Sequence, residues 1–119
     1  MGSANEPVAG WWERFPGAIT VSDNNGVILM MNEASARHYA RFGGIALIGT
    51  NMLDCHPEPA RTKVAHMLAN PGSNVYTTEK AGVRRLVYQT TWYEGDTPAG
   101  LVELILELPG DMEHFLRDG

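Results

Sequence analysis

Ala18-Ile19-Thr20-Val21-Ser22, then Asp23-Asn24-Asn25-Gly26, then Val27-Ile28-Leu29-Met30-Met31-Asn32: two β-rich runs flank four residues that tolerate left-handed backbone, a pattern that predicts a hairpin. Outward from it, residues 33–42 favour helix and Gly43-Gly44 ends it. Residues 45–59 hold Gly49, Pro57 and Pro59, so short turns or loop are expected there. A helix over 60–68 stops at Asn70-Pro71-Gly72. Three β-rich runs follow, over 74–80, 83–93 and 101–108, separated by Ala81-Gly82 and by residues 94–100. In the last run Glu103 and Glu107 alternate with Val102, Leu104, Leu106 and Leu108, which predicts solvated carboxylates and a buried leucine face. On the N-terminal side, Val8, Trp11, Trp12 and Phe15 recur at helical spacing, predicting an amphipathic helix that starts near Asn5-Glu6-Pro7 and ends before Pro16. Hairpin, short helices and a three-strand meander assemble most simply into a five-stranded antiparallel sheet with helices across one face, an α+β domain. Any ligand should lie between the helices and the sheet.

The expected organisation is an N-terminal helical extension over 1–16, one domain over 17–108, and a tail or linker over 109–119 that could form one more helical turn. A chain of 119 residues, 44% hydrophobic and 19% charged, has room for one core and a small cavity, and none for a cleft between two domains. A net charge of -5 with nine scattered Lys and Arg offers no basic stripe, which argues against direct nucleic-acid binding. The single cysteine, Cys55, makes neither an internal disulfide nor a multi-cysteine zinc pattern. With no run long enough to span a membrane and no basic-then-apolar leader, the expected location is the cytoplasm.

Residues 14–108 resemble the PAS family of sensory domains. Phe15-Pro16-Gly17-Ala18-Ile19 looks like its approach to the first strand, and residues 23–32 are similar to its acidic turn, glycine, apolar strand and asparagine. Glu33-Ala34-Ser35 resembles its helix start, Ile48-Gly49-Thr50-Asn51 its glycine-containing link, and residues 95–103 its polar hairpin and last strand. Leu53-Asp54-Cys55-His56-Pro57-Glu58-Pro59, with Tyr88 and Gly100-Leu101-Val102-Glu103, resembles a subgroup with Cys-His-Pro at this place, found beside hemerythrin-like domains and in other bacterial regulators. The resemblance implies the five-stranded PAS-like sheet and a role in bacterial signal transduction, transcription regulation included. It also implies that Asn32 bonds the helix after it. The ligand stays open, because PAS domains bind haem, flavin, organic acids or other small molecules, or only pair with each other.

Cys55 and His56 could together ligate a metal or assist nucleophilic catalysis, but adjacent side chains diverge, spacing fixes no third ligand, and Pro57 points to a turn. His38, His56, His66 and His114 are conceivable haem ligands. In oxygen-sensing haem members that share a proline just ahead of this helix, the axial histidine falls where this chain has Val64, and His66 points about 200° away around the helix. Haem in that mode is disfavoured, with His56 left open. Flavin-bonding members place their reactive cysteine where this chain has Met52, so flavin is not indicated. No Gly-x-Ser-x-Gly, phosphate-cradling loop or His-Glu-x-x-His occurs, and the chain is expected not to be an enzyme.

The residues able to line a small cavity are Tyr39, Met52, His56, Met67, Tyr76, Tyr88, Thr90 and Trp92, aromatic or methionine walls with hydroxyl and imidazole tips. The same residues could equally fill a core. Arg84 and Arg85 could reach an anion, but they fall on opposite faces, so at most one points inward. Trp11, Trp12 and Phe15 are too apolar for a free tail; they predict a homodimer, the alternative being that they close the sheet of their own chain. The expected function is a domain that senses a small molecule and signals through dimerisation or an output module outside this chain. The alternatives are a ligand-free interaction module and a haem or redox sensor using His56 or Cys55.

Overall fold

A computed structural model of the chain describes residues 8–119, all but the side chain of Cys55. The expected helix start at residues 5–7, and the Cys55 thiol as a redox group, lie outside the described residues. Strands β1 (Ala18–Asp23), β2 (Ile28–Met31), β3 (Ser73–Lys80), β4 (Val83–Glu94) and β5 (Thr97–Leu108) form one antiparallel sheet in the order β2-β1-β5-β4-β3. Helices α1 (Glu33–His38) and α2 (Ala60–Ala69), with single 3-10 turns at Ala40–Phe42, Gly44–Leu47 and Met52–Cys55, occupy the span between β2 and β3. This is the PAS-like α+β fold. No helix among the described residues is long and apolar enough to cross a membrane.

Several local expectations are corrected. Among the described residues ahead of β1, Trp11–Arg14 form a 3-10 turn in place of the expected amphipathic helix. The helix from residue 33 breaks at Tyr39, after which the chain tightens into a 3-10 turn closed by Gly43 at φ 121°. Residues 94–100 form no loop: β5 begins at Thr97, leaving the short turn at Gly95-Asp96. The tail beyond Leu108 contains no helix.

Asn32 joins the N-terminal half. Its Oδ1 accepts from the Ser35 amide at 2.9 Å, capping α1, and from the Ile19 amide at 3.0 Å. Its Nδ2 donates to the carbonyls of Trp12 and Gly17, each at 2.9 Å. Helix start, first strand and approach segment are thus held by one side chain that is 1% exposed. Beside it Thr20 and Ser35 share a buried hydroxyl contact of 2.6 Å that draws α1 onto β1.

The largest correction is the phase of β5. Register pairs Leu101, Glu103 and Ile105 with Ser22, Thr20 and Ala18, all facing the helices. Val102, Leu104 and Leu106 face the other way. Glu103 is therefore buried at 4% exposure, and the leucine row lies on the outer face beside Ile19, Tyr88 and Val75. The core under the helices is built from Ile28, Met31, Leu47, Met52, Val64, Met67 and Leu101.

Candidate functional site

Strand register sorts the helix-side face of β3, β4 and β5 into rows. One row is polar: Asn74, Gln89 and Glu103 stand side by side. Asn74 Nδ2 donates to Gln89 Oε1 at 3.0 Å, and Gln89 Nε2 donates to Glu103 Oε2 at 2.8 Å. The Tyr39 hydroxyl reaches across from the end of α1 and donates to Glu103 Oε1 at 2.7 Å. The next row is apolar, Tyr76, Val87 and Ile105, and the one beyond is charged, Thr78, Arg85 and Glu107. Arg85 Nη2 lies 3.6 Å from Glu107 Oε2.

Helices and turns cover β1, β2 and the middle of β5, while seven of the eight residues of β3 are exposed. The uncovered part is a cleft of about 640 Å³. Glu103, Val87 and Ile105 form its floor, Tyr76, Thr78 and Lys80 its outer edge, and His38, Tyr39, Arg41, Phe42 and His56 its helix-side wall. A second space of about 460 Å³ runs on toward Lys63, Val64 and Gln89, and His56 and Tyr76 line both. Farther in, between Thr20, Ile28, Met52 and Glu103, only about 10 Å³ remains, near the lower limit for one water. Methionines and aliphatic residues fill the sheet-helix interior expected to hold a ligand, and the open volume sits outward, over β3 and β4.

His56 has a defined orientation. Its Nδ1 is 2.8 Å from the Met52 carbonyl oxygen, which can only accept, so in the neutral ring Nδ1 carries the proton and Nε2 is the acceptor. His38, exposed on the same wall, titrates below its usual 6.5, chiefly through partial desolvation, with Glu103 opposing the shift and Arg85 and Lys80 adding to it. The Tyr76 hydroxyl is raised above 10 by burial and then by the Glu103 charge, so it stays a donor.

Tyr39, Met52, His56 and Tyr76 line these spaces. Met67 is buried in the core cluster. Tyr88, Thr90 and Trp92 lie on the opposite face: Tyr88 pairs with Leu104, Thr90 Oγ1 contacts Ser73 Oγ at 2.7 Å, and Trp92 Nε1 donates to the Ser22 carbonyl at 2.8 Å. Their displacement has the same cause as that of Glu103, since a one-residue change of phase moves every side chain of a strand to the other face. Sequence reasoning missed Asn74, Gln89 and Glu103. The available signal was Gly95-Asp96: read as a short hairpin turn with one bulge, it sets the amide of Gln89 opposite the carboxylate of Glu103.

Among the described residues no three His, Cys, Asp or Glu side chains converge as metal ligands. Val64, at the axial position of the haem members, is 2% exposed in the core, and His66 is exposed and bonded to Asn70. Glu103 and Gln89 would set a polar floor against a porphyrin, so these residues do not fit that group.

No family model and no curated protein matches the sequence. Solved structures do match in fold. A PAS domain from Colwellia psychrerythraea superposes with a TM-score of 0.61 at 18% identity, covering 89% of this chain and 98% of that one. The PAS domain of Bordetella pertussis BvgS gives 0.59 at 17%, covering 91% and 88%. Vibrio cholerae VqmA, a dimer, gives 0.66 at 13%, covering 88% of this chain and 53% of that one, and VqmA with DPO bound superposes equally well.

Proposed function

We propose that this PAS-like chain is a sensory module whose outer cleft takes up a small molecule and whose occupancy is passed to a second copy or to an output domain, with no chemistry performed on the ligand. The observation that carries this reading is the Asn74-Gln89-Glu103-Tyr39 chain of hydrogen bonds on the floor of an open cleft. Such a chain is a fixed, pre-oriented set of polar groups, the kind that gives a pocket specificity. Binding of DPO by VqmA and the PAS folds of sensor proteins point the same way. The Cys-His-Pro run supports membership of the regulator subgroup, with His56 held by Met52 as part of the cleft wall.

Native mass spectrometry of the purified chain, with a visible spectrum of the same sample, tests the reading. A stoichiometric small molecule lost on denaturation supports it. Bare protein after incubation with a metabolite mixture would overturn it. A Soret band would instead return His56 Nε2 to the role of haem ligand.

The ligand-free interaction reading rests on the outer face, where Val75 (49% exposed) and Tyr88 (40%) continue the row of Leu104 and Ile19. Trp11, 64% exposed, stacks edge-on against Phe15 at 5.9 Å nearby. We assign this face to a second copy, which makes dimerisation compatible with either reading.

A further inference from the structure

Resting on the reading that the cleft binds a ligand, we propose that the ligand is an aryl carboxylate with a hydrogen-bond donor on the ring, opposite the acid side chain. The three rows stand about 7 Å apart, the repeat of two residues along a strand, and each has a different chemistry. At one end Glu103 keeps acceptor capacity beyond the two bonds it makes, and His56 Nε2 is a second acceptor on the wall beside it. Both suit a phenolic hydroxyl or an arylamine. The middle row, Tyr76, Val87 and Ile105, is a flat apolar strip that suits a ring.

At the other end stand cations in excess. Arg85 is already paired with Glu107, but Lys80, beyond it on the β3 edge, has no carboxylate partner among the described residues, and neither has Arg41 on the helix-side wall. Arg41 instead lies over the Phe42 ring at 5.0 Å. A carboxylate from the ligand completes this end. The opposite polarity, a cationic head with an apolar tail, would leave Lys80 and Arg41 unmatched, and a purely apolar ligand would strip water from Glu103 without replacing its bonds.

The test is calorimetric titration of the full chain with three matched compounds: para-hydroxyphenylpropionate, para-methylphenylpropionate, which lacks the donor, and para-hydroxyphenylpropanol, which lacks the acid. The first should bind at least about tenfold more tightly than either of the others, as loss of one charge-assisted contact requires. The double variant Arg41→Gln/Lys80→Gln removes two exposed side chains that make no ion pair, Arg41 giving up only its contact over the Phe42 ring, and so leaves the fold intact. It should lower affinity for the acid about tenfold and leave that for the alcohol unchanged. Glu103→Gln should weaken both phenols and spare the methyl compound. Equal binding of acid and alcohol, an unaffected double variant, or no binding by any of the three overturns the proposal. If native mass spectrometry nevertheless finds a bound molecule of another class, the ligand class fails and the sensory reading stands; bare protein there removes both.

Discussion

Truncating Asn32 strands several groups at once, because the amides of Ser35 and Ile19 and the carbonyls of Trp12 and Gly17 share this one side chain. Each buried group left without a partner costs about 1–3 kcal/mol, so Asn32→Ala should lose at least about 3 kcal/mol in urea unfolding. A loss below about 1 kcal/mol would mean that water replaces the side chain. Asn32→Asp should fare no better, since its second oxygen would face two carbonyl oxygens. His38 makes a different demand. Partial desolvation of a side chain that is still exposed holds its native pKa below 6.5, so the unfolded chain takes up the proton more readily. Its stabilising contribution is complete above 6.5 and is lost as pH falls from there through the lower native value. The melting temperature of the wild type should therefore drop more between about pH 7.5 and about pH 5 than that of His38→Gln; parallel curves would show that His38 does not report on folding.

At the scale of elements, the seam between β1 and β5 depends on Gly100, where an added Cβ would overlap the Ser22 carbonyl oxygen and crowd Trp92 Nε1. Gly49, at φ 92° with nothing near its would-be Cβ, has only backbone strain to lose. Gly100→Ala should cost more than about 3 kcal/mol and Gly49→Ala about 1–2 kcal/mol, compared in one denaturant series. Equal costs would show that β1 and β5 can move apart. Elements with local causes were legible in the sequence: the 18–32 hairpin, the end of α2 at Asn70-Pro71-Gly72, and the gathering of short turns before it. Phase was not. The alternation in β5 is equally regular read either way, and the leucines outweighed Glu103 until the Gln89 and Tyr39 partners, distant in sequence, decided it. The candidate cleft divides the same way: Tyr39 and His56, on the helix side, line it whichever way β5 faces, whereas Tyr76, Tyr88, Thr90 and Trp92 depended on that choice.

At the scale of the whole molecule, the outer leucine face should make self-association visible by sedimentation, and Tyr88→Lys should shift the chain toward monomer without changing its circular dichroism. A wild type that sediments as a monomer at every concentration would exclude the second copy from that face. The order β2-β1-β5-β4-β3 also divides the chain into two contiguous halves whose strands meet along one ladder, from Ala18↔Ile105 to Asp23↔Gly100. The cleft lies across that division, with its floor strands in the C-terminal half and its wall of His38, Arg41 and His56 in the N-terminal half. A molecule seated there is a removable crosslink between the two pieces. Pulled from its ends, the chain would open along the six-residue ladder when empty, and at a higher force when the crosslink is in place.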